Sequence, residues 1–175
     1  MRFAIPLAFA AAAAVAAPLA PAQSTPTDPQ IVGIVIGANQ IDIDHAKLAL
    51  SKTKNPQVRD FAQQMITDHT AVLKSVQDLG AKLQVTPADS DTATALKKQA
   101  DDTTAHLKTL SGAEFDKAYV DAEVAYHQAV IQEVSTVLIP DAQNAELKSA
   151  LQGAAPLFQG HLEHAQHLQS TMKGQ

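Results

Sequence analysis

The amino-acid sequence predicts an all-α protein, a ferritin-like up-down-down-up four-helix bundle with a helical crossover segment. Three observations carry this. Apolar residues recur in alternating steps of three and four over four long stretches. Proline and capping residues punctuate the chain between those stretches. The composition is rich in alanine, has 46% hydrophobic but only 4% aromatic residues and contains no tryptophan. Such a composition suits close-packed helices better than sheets, which favour β-branched and aromatic side chains. No strand-like alternation of useful length occurs.

The elements follow in order. Arg2, an apolar alanine-dominated stretch from Ala4 to Leu19, and Ala20-Pro21-Ala22 form a signal-peptide pattern (residues 1–22), with cleavage expected after Ala22. Prolines at 6 and 18 and the weak apolarity of alanine argue against a membrane-spanning helix. The expected location is therefore the periplasm or the exterior. Residues 23–28 are a polar linker, and 29–172 form the bundle domain. Asp28-Pro29 reads as cap and first position of a helix reaching about Thr53. Asn55-Pro56 starts an antiparallel second helix to about Gln84, and Thr86-Pro87 starts a third segment ending near Leu110. Ser111-Gly112-Ala113-Glu114 reads as a capping box opening a helix that stops before Pro140. Asp141 is the expected cap of the last helix, to about Met172, which Pro156 should kink or break.

The apolar seams are Ile31, Ile34, Ala38, Ile41, His45 and Leu48; then Val58, Ala62, Met65, His69, Val72, Val76, Leu79 and Leu83. Val120, Val124, His127, Ile131, Val134 and Leu138 form a third, and Leu147, Leu151, Ala154, Phe158, His161, Ala165, Leu168 and Met172 a fourth. Segment 87–110 has only a thin stripe (Ala93, Leu96, Ala100, Leu107). It reads as a crossover that climbs the bundle and leaves the helices on either side of it parallel; an extra antiparallel hairpin is the alternative.

Composition excludes several functions. The net charge is −5 without a basic cluster, so the footprint of a nucleic-acid binder is missing. There is no cysteine, which removes disulfides, thiol catalysis and zinc–thiolate sites. No phosphate-binding glycine loop, hydrolase elbow or His-Glu-x-x-His occurs, and no catalytic residues are assigned.

Each seam carries one histidine: His45, His69, His127 and His161. Carboxylates lie close by: Asp42 and Asp44, Asp68, Glu123 and Glu163. Imidazole with carboxylate suits a divalent metal such as iron, zinc or copper. Counting heights at about 1.5 Å per residue spreads the set over roughly 12 Å, too broad for one coordination sphere. A subset is therefore expected to meet, and the candidate metal ligands are Asp44, Asp68, His69, Glu123, His127 and His161. The Glu-x-x-His of di-iron bundles is missing, which argues against a ferroxidase centre. A hydrogen-bonded polar layer without metal is the competing reading. Tyr119 and Tyr126 are expected to be core residues with tethered hydroxyls.

Asn55-Pro56-x-Val58-x-x-Phe61-Ala62-x-x-Met65-x-x-Asp68-His69, Leu110-Ser111-Gly112-Ala113-x-Phe115-Asp116-x-x-Tyr119 and Pro156-x-x-x-x-His161-Leu162 resemble a bacterial secreted family, domain of unknown function 4142. The resemblance covers about residues 30–172 and implies a ferritin-like bundle in the periplasm or envelope, with no activity attached. Matching polar positions are Asp68, His69, Asp116, Tyr119, His127 and His161. Asp44 stands where the family usually has Glu, and His45 has no counterpart. Two functional readings follow: a metal-binding bundle, or a stress-related structural module docking envelope proteins through its helix faces.

Overall fold

A computed structural model describes residues 25–172; the expected signal peptide and its cleavage site lie outside them. Five long helices follow one another: α1 (Asp28–Lys52), α2 (Pro56–Leu83), α3 (Asp91–Thr109), α4 (Gly112–Glu133) and α5 (Ala145–Met172). No strand occurs among the described residues.

Capping chemistry sets the boundaries. The Asn55 side chain accepts hydrogen bonds from the amides of Gln57 and Val58, and Pro56 opens α2 where no amide partner is needed. Arg59 Nη1 ties the preceding turn by donating to the carbonyls of Leu50 and Thr53. Elsewhere the caps differ from expectation by a few residues. Thr27, not Asp28, caps α1, its amide donating to Gln30 Oε1 at 3.0 Å. Asp28 instead accepts from the amides of Gln143 and Asn144, fastening the first helix to the last loop. Thr86-Pro87 lies in the connection, and Ser90 Oγ caps α3 through Ala93. Asn144, rather than Asp141, caps α5 by accepting from Glu146 and Leu147. Ser111 stands at the start of α4 without a side-chain cap bond, and Gly112 takes a φ of 56°, which the expected capping box does not allow for.

Neither proline ends its helix. Pro140 does not end its helix: α4 runs on through a π turn, Val134–Leu138, into a last turn, Ile139–Asp141. The wider turn makes room for a proline ring that would otherwise press on the carbonyl four residues back. Pro156 lies inside an unbroken α5. Gln152, Gly153 and Pro156 are exposed, so the orphaned carbonyl faces water.

The crossover is present. Ala88 N donates to Pro29 O, His45 lies against Ala100, and Lys52 Nζ donates to the carbonyls of Leu107 and Lys108. Pairings that advance together in number mean that α3 runs parallel to α1, back along the bundle. Helices α2 and α4 are thus parallel, α1 and α5 close the up-down-down-up bundle, and α3 straps its outside, with only Leu107 fully buried. Gly33 permits the approach: a Cβ there would lie 2.3 Å from Ala88 O.

The core divides in two. One apolar cluster, with Phe61, Met65, Phe115, Tyr119 and Leu168, fills the end holding the Asn55 turn. A second, with Ile31, Ile34, Val76, Leu138 and Leu147, fills the other end. Each fully buried large side chain contributes about 1.5–3 kcal/mol. Between the clusters lies a layer of buried polar groups: Asn39, Asp42, His69, Glu123, His127 and His161.

Candidate metal centre

Three histidine rings from three helices converge in this layer. His69 (α2) lies 5.0 Å from His161 (α5) and 5.7 Å from His127 (α4), centroid to centroid, and His127 lies 5.4 Å from His161. One ligand atom from each falls within 4.8 Å of the other two. Phe158 stacks on the outer face of His69 at 5.8 Å with an interplanar angle of 7°.

The protonation state of each ring follows from its outer partner. Asn39 Nδ2 donates to Val35 O at 2.8 Å, which fixes the orientation of the amide. Its Oδ1 therefore accepts from His69 Nδ1, at 2.9 Å. His127 Nδ1 donates to the carbonyl of Glu123, one turn back, at 3.0 Å. His161 Nε2 donates to Asp68 Oδ2 at 2.9 Å. With one nitrogen of each ring committed as donor, the other carries a lone pair. These are His69 Nε2, His127 Nε2 and His161 Nδ1, and all three are buried without a partner. Burial lowers the pKa of His69 to about 3, with His127 and His161 adding to the effect, and that of His127 to about 4. Burial lowers His161 as well, opposed by its bond to Asp68. The rings are neutral at pH 7, the form in which imidazole ligates a metal.

Two carboxyl groups back the histidines. Asp42 (α1) and Glu123 (α4) are both buried; Asp42 Oδ2 lies 3.6 Å from His69 Nδ1, and Glu123 Oε2 lies 3.6 Å from His127 Nδ1. Asp42 and Glu123 are joined by a side-chain hydrogen bond between their carboxyls. Burial pushes Glu123 up to about 8, and burial together with the neighbouring Glu123 raises Asp42 well above the carboxylate range. Asp42, Glu123 and His127 form a second compact group of ligand atoms. Its imidazole nitrogen nearest the carboxylates is the one already donating to the Glu123 carbonyl, so the three-histidine group is the better-formed site.

The expected ligands divide accordingly. His69, His127 and His161 meet, Glu123 stands beside them, and Asp68 reaches them through His161, its side chain 28% exposed. Asp44 does not join them. It lies on the outer face of α1, 60% exposed, between Gln40 and Lys47. Asp42 faces inward instead, in register with Val35, Ala38, Ala46 and Ala49, and that spacing was readable from the sequence. Asn39 carried no signal, because its role rests on a partner thirty positions away. His45 is buried against α3, near Ala100, away from the centre. Tyr126 is tethered to Ala38 O at 3.0 Å, whereas the Tyr119 hydroxyl is buried without a partner, and Asp116 lies near the other end of the core.

A comparison with curated proteins finds no match. Among solved structures, the fold is similar to that of a DUF305 fragment from Deinococcus radiodurans, with a TM-score of 0.73 at 14% identity over 86% of this chain and 99% of that one. It is similar also to CopM in its Cu(II)-bound form, with a TM-score of 0.64 at 17% identity over 83% of this chain and 98% of the other. At such identities the likeness is one of fold. Membership is carried by sequence: a family model matches residues 13–168, and the chain belongs to the family described as Domain of unknown function (DUF4142).

Proposed function

We propose that this protein binds one divalent metal ion through His69, His127 and His161. The observation that carries the reading is the convergence of three buried imidazole rings, each with one nitrogen held by a hydrogen bond and the other without a partner. Buried polar groups are rarely left unpartnered, and outer partners of this kind are what orient ligating histidines. Three nitrogens with no thiolate suit copper or zinc, and the likeness to a Cu(II)-bound protein makes Cu(II) the first ion to test. Bound there, the ion supplies a Lewis-acidic centre, and with copper a one-electron couple. Asn39, Asp68 and the Glu123 carbonyl hold the ring tautomers, while Phe158 stacks on His69. No helix among the described residues is long and apolar enough to cross a membrane. With the leader pattern of residues 1–22, this supports an exported protein working in the periplasm or outside the cell.

The test is metal analysis of untagged protein prepared without a chelating column, then thermal melting with and without Cu(II) or Zn(II). The expected result is one equivalent per chain and a higher melting temperature only with metal. His69→Ala or His161→Ala should abolish both. A polar layer serving an envelope docking module would bind nothing, and the same changes would then destabilise the protein equally with and without metal.

A further inference from the structure

Below the polar layer the bundle does not close. A cavity of about 500 Å³ lies among all five helices and the π turn, within the size range of small-molecule pockets. Its wall is mostly aliphatic, with Ile34, Val76, Leu96, Leu138 and Leu151 among the residues lining it. Small residues on α5 (Ala150, Gly153, Ala154) leave the space that larger side chains would fill, and exposed Gln99 and Ala129 flank an opening between α3 and α4.

Two features define what fits. The lining contains no lysine, arginine or histidine, and its only ionisable members are Asp42 and Glu133. An anionic head would find no cation to pair with in an apolar chamber, so fatty-acid carboxylates and sulfates are disfavoured. At the inner end sit the buried polar side chains of Asn39 and Asp42, the latter hydrogen-bonded to Glu123. Polar groups gathered at the inner end of a mostly apolar chamber fix the orientation of a ligand whose body is apolar.

We propose that this cavity is a binding site for a small uncharged molecule with an apolar body and one hydrogen-bonding head, seated with the head at Asp42. The site is separate from the three-histidine centre and does not depend on metal being bound there. Because Asn39, Asp42 and Phe158 line the cavity and also touch His69, an occupant sits one side chain from that ring.

The experiment uses the whole mature chain and the neutral dye Nile red, whose fluorescence rises in apolar surroundings; the protein contains no tryptophan to interfere. Saturable binding of one dye per chain is expected, displaced by 1-dodecanol and not by dodecanoate. Two filling variants, Ala154→Phe and Ala150→Phe, should each weaken dye binding at least tenfold while retaining the wild-type circular dichroism. Two positions guard against one variant failing to fold. Absence of saturable binding, binding indifferent to both variants, or displacement by dodecanoate as readily as by dodecanol overturns the proposal. Loss of metal binding with dye binding intact, or the reverse, separates this site from the metal reading.

Discussion

Asn39 has no charge and no lone pair aimed at the centre, yet it decides which nitrogen of His69 is free. Its amide is held by Val35 O, so its oxygen can only accept, and the His69 proton is pinned to Nδ1. Asn39→Leu would leave that buried N–H without its acceptor, at a cost of about 1–3 kcal/mol. It should also weaken metal binding roughly 10–100-fold, as loss of an outer partner generally does. Calorimetric titration of the variant measures both, and unchanged affinity would remove Asn39 from the account. Asp44→Ala, by contrast, should leave binding as it is, because that side chain is solvated on the far side of α1.

At the scale of elements, the strap α3 and the joint beneath it are the most sensitive features. Gly33 lets the connection between α2 and α3 lie directly on α1, with Ala88 N bonded to Pro29 O. Gly33→Ala would set a methyl group 2.3 Å from a backbone carbonyl that cannot swing away. A loss of about 1–3 kcal/mol is expected in chemical denaturation; at an open helical site the same change would instead stabilise, by about 1 kcal/mol. Helix existence, direction and the crossover were legible because they rest on local signals: steps of three and four, Asn-Pro starts and a thin stripe on 87–110. The π turn was not, since nothing local separates a proline that ends a helix from one absorbed by widening the turn before it. Asp42 was legible in principle. The height count along the bundle points to Asp44, whereas the seam that runs through Val35, Ala38 and Ala46 carries Asp42. The convergence of His69, His127 and His161 was legible as a set, and their hydrogen-bond partners, which come from helix crossings, were not.

For the whole molecule, the polar layer makes stability depend on pH in both directions. His69, at about 3, and His127, at about 4, stay neutral in the fold while an unfolded histidine protonates near 6.5; His161 is lowered too. Below about pH 6.5 the unfolded chain therefore binds more protons, and stability falls as pH falls toward the folded values. Glu123, at about 8, and Asp42 keep their protons in the fold above the pH at which unfolded carboxyls lose them. The Glu123 contribution is full below about pH 4.5 and is lost as pH rises through about 8, and Asp42 acts in the same direction. Three histidines outweigh two carboxyls on the acid side, so the metal-free protein should be most stable between about pH 6 and 7. Denaturant midpoints across pH 4.5–9 check this, and a monotonic profile would contradict the buried, neutral layer.

The central claim is that three imidazoles hold one ion in the middle of the bundle. X-ray absorption spectroscopy of the copper- or zinc-loaded, untagged protein tests it most directly. The account predicts nitrogen scatterers at about 2.0–2.1 Å with the multiple-scattering pattern of three imidazoles. A first shell built mainly of oxygen, or one that does not change when His69, His127 and His161 are replaced together, would contradict it.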